Sequence, residues 1–167
     1  MAIFDEGRRI FFLTNNETYY FYKTQLEEEL DLDEFVNLKY LEIKGCNFSV
    51  ETYQKLTKID LTNCKKLKTF KLYYNDGNVV IEGNNTLKDL HLENCENLVY
   101  FQASERLINL KNLKIDHCPQ LKKIANLENL RNLNSLCFCG CSNLAELSGL
   151  NELNKLVNFS FNTESYY

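Results

Sequence analysis

The chain has 167 residues, of which 44% are hydrophobic, and a formal net charge of −4 at pH 7. This length suits one compact domain or one short repeat array, and the acidic balance predicts that nucleic acid is not a partner. The sequence contains no run of about 18 apolar residues, so no membrane association is expected, and the apolar run 10–13 is too short for a secretory signal. Seven cysteines without such a signal predict free thiols and a cytoplasmic location.

The first predicted element is a β-hairpin over residues 9–23. Two runs rich in β-branched and aromatic residues flank Asn15-Asn16, and asparagine suits a tight turn because it tolerates positive φ. We expect this hairpin to cap the array, since repeat arrays need atypical end units. An aromatic binding patch is the alternative. A degenerate repeat or a helical turn at 26–37 completes the predicted N-terminal cap, residues 1–37.

Copies of one phrase, about six in number, occupy the predicted repeat array, residues 38–167. The phrase reads L-x-x-L-x-L-x-x-C, and its cysteine recurs every 23 residues at Cys95, Cys118 and Cys141. The last two apolar residues of each copy alternate, so both are expected to point inward from one short parallel strand. Stacked copies would share one continuous core. These strand residues are Leu41 and Ile43, Ile59 and Leu61, Leu90 and Leu92, Leu113 and Ile115, Leu136 and Phe138, and Phe159 and Phe161.

One cysteine spacing is longer than the others, because 31 residues separate Cys64 from Cys95. The extra residues include Asp76-Gly77 between two β-rich runs, which predicts a β-hairpin insertion over 68–83 on the convex side. The insertion is either a harmless surface loop or a protruding contact element. Elsewhere the return segments of the fourth and fifth copies carry an apolar residue at every third position, which predicts 3₁₀ or short helical turns.

With these copies the chain resembles the leucine-rich repeat family over about residues 38–161. The segment 124–133 is similar to the return segments of internalin-type repeats, and 133–147 is similar to repeats of plant disease-resistance receptors. The resemblance implies an α/β solenoid with a parallel sheet on a concave face that binds a protein or peptide. The catalytic modules that relatives attach to such repeats have no motif here, so we expect a binding scaffold and no enzymatic activity.

The outward positions of the predicted strands are the candidate partner-binding residues. Their charge is mixed and they include no aromatic stripe on which bases could stack, which favours a protein or peptide over nucleic acid. The predicted contact residues on the concave face are Glu42, Lys44, Asp60, Thr62, His91, Glu93, Lys114, Asp116, Cys137, Cys139 and Ser160.

Cysteine and histidine side chains are the candidates for chemistry, and none is expected to carry it. Cys137, Cys139 and Cys141 form C-x-C-x-C, which is not the C-x₂₋₄-C spacing typical of zinc, so neither a metal nor a cofactor is predicted. His91 beside Glu93 is suited to acid–base work, but no nucleophile or phosphate-binding loop accompanies it.

The C-terminal end of the array is predicted to be an apolar edge. Phe159 and Phe161 form the last expected strand, and few residues follow them. An uncovered apolar edge strand favours pairing with another chain, so self-assembly through residues 156–167, as a homodimer, is the alternative function. A minimal cap formed by Tyr166 and Tyr167 stays equally open.

Overall fold

A computed structural model describes the chain at residues 18–22, 27–30, 32, 37–44, 55–75 and 77–162. These ranges contain strands on alternating sides and two 3₁₀ helices, Leu127–Asn129 and Leu150–Glu152. The strands are, in chain order, β1 (Thr18–Tyr22), β2 (Glu27–Leu30), β3 (Tyr40–Lys44), β4 (Lys55–Asp60), β5 (Thr69–Tyr73), β6 (Val80–Glu82), β7 (Asp89–Glu93), β8 (Tyr100–Gln102), β9 (Asn112–Asp116), β10 (Lys123–Ala125), β11 (Ser135–Cys139), β12 (Glu146–Leu147) and β13 (Asn158–Asn162).

Seven of the described strands form one parallel sheet, here called the main sheet, in the order β1-β3-β5-β7-β9-β11-β13. Neighbouring strands pair in register, so residues at the same position of successive strands lie side by side. The second and fourth residues point inward because side chains alternate along a strand. From β3 to β11 they form two buried columns: Leu41, Phe70, Leu90, Leu113 and Leu136, and Ile43, Leu72, Leu92, Ile115 and Phe138.

The opposite side of the protein carries two smaller parallel sheets, β2-β4-β6 and β8-β10-β12. The chain passes back and forth between the two sides, so the described residues form a parallel-strand solenoid with a repeat of about 23 residues. The apolar side chains between the sides make one continuous core, and each fully buried leucine contributes roughly 1.5–3 kcal/mol of transfer free energy. The predicted 3₁₀ turns in the last return segments are confirmed.

The residue after each of four main strands has a positive φ, which turns the chain towards the opposite side. These residues are Tyr74, Asn94, His117 and Gly140, with φ of 56°, 54°, 49° and 63°. For residues other than glycine this left-handed conformation costs roughly 1–2 kcal/mol. The same turn is therefore imposed at each copy by the stacking of its neighbours, whatever side chain stands there.

Two sequence-based placements are corrected between residues 55 and 83. β4, which contains Ile59, belongs to the β2-β4-β6 sheet, and β5 takes the expected place in the main sheet. β5 and β6 do not form the predicted hairpin over 68–83, because β5 pairs in parallel with β3 and β7 while β6 pairs in parallel with β4. An alternating apolar strand buries one face equally well on either side of a solenoid, so the phrase alone did not distinguish the two.

Asn75 completes the copy of the phrase that β5 carries. It stands where the other copies have their buried cysteine, and it is fully buried. Its side chain accepts a hydrogen bond from the Leu56 amide at 3.0 Å and donates one to the Leu56 carbonyl at 3.1 Å. An amide that both donates and accepts satisfies the backbone at the turn without an apolar partner.

At the N-terminal end, the second arm of the predicted hairpin is a strand of the main sheet. β1 pairs in parallel and in register with β3, so it extends the same sheet. The first arm and the turn, residues 9–17, lie outside the described residues, as does Cys46. The degenerate repeat predicted at 26–37 contains β2 and the buried Leu32. No helix in the described ranges is long and apolar enough to cross a lipid bilayer.

Candidate functional site

Among the outward positions of the main sheet, the third and fifth residues of each strand form two parallel columns that are here called the sheet face. Strand pairing sets the order of each column, since residues in register lie about 4.8 Å apart. From β3 to β13 the columns are Glu42, Lys71, His91, Lys114, Cys137 and Ser160, and Lys44, Tyr73, Glu93, Asp116, Cys139 and Asn162. Every predicted contact residue except Asp60 and Thr62 lies in these columns.

Asp60 and Thr62 are placed on the other side of the solenoid, because β4 is not part of the main sheet. The Asp60 carboxylate accepts hydrogen bonds from the Thr62 hydroxyl at 2.6 Å and the Thr62 amide at 2.8 Å. The hydroxyl hydrogen bond is the main reason that the pKa of Asp60 is lowered. This pair stabilises a turn. Lys71 and Tyr73 take the two vacated positions, and Lys71 Nζ lies 5.4 Å from the centre of the Tyr40 ring.

His91 lies at the centre of the sheet face. Its Nε2 is 3.2 Å from Glu93 Oε2 and 4.0 Å from Asp116 Oδ2, and the Tyr73 ring meets the imidazole edge-on at 5.4 Å between centroids. Burial, followed by the positive charge of Lys114, lowers the pKa of His91 although both carboxylates oppose the shift. The imidazole is therefore neutral at pH 7.

Asp116 is the buried carboxylate that connects the two halves of the sheet face. Its Oδ2 pairs with Lys114 Nζ. Burial acts to lower the pKa of Lys114, but this hydrogen bond and the negative charges of Asp116 and Glu93 together raise it. Its Oδ1 lies 3.9 Å from the Cys137 sulfur, on the adjacent strand. An aspartate that is buried and charged needs such partners, since an isolated carboxylate in an apolar setting is costly.

Cys137 and Cys139 lie beside Asp116 on the neighbouring strand, β11. Their sulfurs are 3.4 Å apart, and both side chains are half-buried. Burial, the contact with Cys139 and the charge of Asp116 raise the pKa of the Cys137 thiol to about 11. The Cys137 thiol is thus protonated at pH 7, so it is a poor nucleophile in this setting.

The described cysteines of the repeat phrase, Cys64, Cys95, Cys118 and Cys141, are buried in the core. Hydrogen bonds with Cys141 and Cys95, together with burial, raise the pKa of Cys118. The same hydrogen bonds lower the pKa of Cys95 and of Cys141. Buried cysteines that pack in a core are inert. Their place in the fold is structural, as the phrase predicts.

A row of lysines borders the sheet face and was missed in the sequence. Lys39, Lys68, Lys88 and Lys111 each precede a main strand by one residue, and all four are exposed. Backbone hydrogen bonds of 2.8 Å link each to the next, from the amide of the later residue to the carbonyl of the earlier one. The sequence pattern that could have predicted this row is a lysine two residues before the first inward apolar residue of successive copies. This lysine row is a local positive surface on an acidic chain.

A groove lies on the opposite side of the solenoid. A groove of about 560 Å³ opens where the two three-stranded sheets fail to join, between β6 and β8. Its lining includes Val80, Glu82, Tyr100 and Gln102. Val80 is 60% exposed, so the region predicted as a contact hairpin does present an apolar side chain to solvent, although from a strand.

No protein-family model, curated protein or solved structure matches the chain. The fold itself defines the class: a solenoid repeat protein built from parallel strands with few helical turns.

Proposed function

We propose that this chain is a leucine-rich repeat interaction module that binds a protein or peptide partner across the sheet face. The register of the main sheet carries the proposal, because it aligns charged and polar side chains from successive strands in two straight columns. The backbone beneath them is held on both sides by sheet hydrogen bonds. Because the backbone is already ordered, only its side chains lose conformational freedom when a partner binds.

The charges of this surface indicate the chemistry of the partner. The lysine row adds positive charge along the edge where the main strands begin, and Lys71 and Lys114 add more within the sheet face. The interior strands have their backbone groups paired, so a partner is recognised by its side chains and not by adding a strand. A segment that runs across the strands and carries acidic side chains at one edge is the complementary ligand.

We further propose that the chain has no enzymatic activity and resides in the cytoplasm. The neutral His91 and the protonated Cys137 favour a contact role over acid–base or nucleophilic chemistry. The six described cysteines are all free, in keeping with a reducing compartment.

A peptide-display selection on the folded full chain, followed by fluorescence anisotropy with the selected peptides, tests the binding proposal. We expect peptides rich in Asp and Glu, and a roughly tenfold loss of affinity, about 1.4 kcal/mol, in the double variant Lys71→Glu/Lys111→Glu. The matched control is Lys122→Glu, an exposed lysine outside both surfaces. Equal losses in both variants, or tighter binding of single-stranded nucleic acid at the lysine row, would overturn the proposal.

Self-assembly through the end of the array is a second candidate function, and the exposure of β13 favours it. Val157 is 80% exposed, Phe159 49% and Phe161 47%, and an apolar edge strand is prone to pair with another chain. The homodimer interface would lie within residues 156–167, of which 163–167 are outside the described residues. Light scattering over a range of concentrations should show a dimer that Phe159→Lys dissociates and Ile108→Lys does not. A constant monomer mass would refute this alternative.

A further inference from the structure

Three donor atoms of types that bind soft and borderline metals converge where β9 and β11 pair. Cys137 and Cys139 share the outward face of β11 because they are two residues apart on a strand. Strand pairing then sets Asp116 directly beside Cys139. One carboxylate oxygen and the two sulfurs lie within 4.8 Å of one another.

The spacing of these donors fits a tetrahedral ion. Zinc with bonds of about 2.3 Å to sulfur and about 2.0–2.2 Å to oxygen places two sulfur ligands about 3.8 Å apart and a sulfur and an oxygen about 3.5 Å apart. The sulfurs of Cys137 and Cys139 are 3.4 Å apart, and the Cys137 sulfur is 3.9 Å from Asp116 Oδ1. Both distances lie within about 0.4 Å of the values that a tetrahedral zinc ion requires, and the third, from the Cys139 sulfur to an Asp116 oxygen, is no more than 4.8 Å.

The groups around Asp116 form the outer shell that a metal ligand needs. Lys114 holds Oδ2, the oxygen that faces away from the thiols. His91 Nε2, 4.0 Å from the same oxygen, is buried and makes no hydrogen bond within the described part of the chain, although Glu93 Oε2 is 3.2 Å away. A buried ring nitrogen without a hydrogen bond calls for an explanation, and donation to a metal-bound carboxylate supplies one.

We propose that Asp116, Cys137 and Cys139 bind one zinc ion, with Lys114 and His91 orienting the carboxylate and a water molecule at the fourth position. The half-buried thiols leave that position open to solvent, as in zinc sites with three protein ligands. Both thiols lose their protons to the buffer when the ion binds. The two thiolates and the carboxylate together with Zn²⁺ carry one negative charge, which the ammonium of Lys114 balances.

The C-x-C spacing in the sequence did not predict this site, because the third ligand comes from another repeat. Asp116 and Cys139 are 23 residues apart in the chain and side by side in the sheet. The metal donors lie within the sheet face, but the peptide-binding test alters Lys71 and Lys111, which neither bind the ion nor orient its ligands, so either proposal can fail without the other.

Cobalt and zinc titrations of the reduced, chelator-treated full chain test the inference. We expect one equivalent of Co²⁺ to give a thiolate-to-cobalt charge-transfer band and tetrahedral d–d bands, which one equivalent of Zn²⁺ abolishes. Calorimetry in two buffers of different protonation enthalpy should show release of about two protons at neutral pH. Zinc should also protect Cys137 and Cys139 of the unmodified chain from alkylation, a readout that needs no variant.

Three variants locate the ligands. Cys139→Ser is expected to weaken zinc binding at least a hundredfold, whereas Cys118→Ala, which removes a buried thiol elsewhere, leaves it within about twofold. His91, Glu93 and Asp116 form a second group of potential metal ligands, and Glu93→Gln tests it. This variant should also change the affinity for zinc by no more than about twofold. The inference is overturned if no charge-transfer band forms, if Cys139→Ser binds like the unmodified chain, or if Glu93→Gln alone removes binding.

Discussion

Phe138 and Phe161 offer a direct measure of how stability varies along the array. They occupy the same inward column on adjacent strands, yet Phe138 is fully buried and Phe161 is 47% exposed. Replacing a fully buried phenylalanine by alanine costs about 3–5 kcal/mol. Scaled by the buried fraction of the side chain, Phe161→Ala should cost about 1.5–2.5 kcal/mol. For a chain of this size these losses lower Tm by about 6–20 °C and about 3–10 °C, respectively.

Urea and thermal unfolding, followed by circular dichroism, would measure both variants against the unmodified chain. The Phe138 variant should also broaden the transition, because a solenoid loses coupling between neighbouring repeats when a buried contact between them is removed. The end variant should not. If Phe161→Ala costs as much as Phe138→Ala, then Phe161 is covered in solution and the reasoning from its exposure is refuted.

Buried polar groups and thiols offer three further tests. Because burial lowers the pKa of His91, the unfolded chain binds more protons than the folded chain below about pH 6.5, and the free energy of unfolding should fall as the pH drops from about 6.5. The urea midpoint of His91→Gln should depend less on pH, and an unchanged pH dependence would contradict this reasoning. Asn75→Ala leaves the Leu56 amide and carbonyl without their buried partner and should cost about 1–3 kcal/mol in urea unfolding, so a cost below about 0.5 kcal/mol would contradict the role given to this side chain. Without metal, a reagent should alkylate Cys137 in the folded chain, faster as the pH rises towards about 11, and should alkylate Cys118 only after unfolding. Peptide mass mapping measures both rates, and equal rates would show that the two thiols do not differ in exposure.

Apolar periodicity was sufficient to predict the regular part of the solenoid. At β7, β9 and β11 each inward pair belongs to a complete copy of the phrase, and the copies recur at a constant spacing. Two buried residues on one strand leave a single choice of face, because a shift of one residue would expose both. The parallel pairing of those strands follows from the repeat itself.

Two adjacent copies of the phrase could not be told apart by the same reasoning near the start of the array. One runs through Ile59 and ends at Cys64, and the other runs through Phe70 and ends at Asn75. Both bury their apolar residues, so burial did not separate them. Strand pairing separates them, because β5 lies between β3 and β7 whereas β4 lies between β2 and β6, and that pairing joins residues that are distant in the sequence.

Some contacts of the candidate site were likewise not predictable from the sequence. The predicted columns contained His91, Asp116 and Cys137, but not the contacts of Asp116 with the other two, since these join residues of different repeats. Which oxygen of Asp116 faces the thiols and which faces Lys114 depends on side-chain rotation in the stacked sheet. Such features arise from three-dimensional register and leave no pattern in a linear spacing rule.

The strand order of the main sheet has a mechanical consequence. Neighbouring strands of the main sheet come from successive repeats. Tension between the two ends of the chain therefore loads the hydrogen bonds between one pair of strands at a time. Each released repeat of about 23 residues would lengthen the chain by about 75–83 Å when fully extended. Stretched in an optical trap, the protein should yield in small, evenly spaced steps at low force, and it should recover its length by rewinding on the repeats that remain.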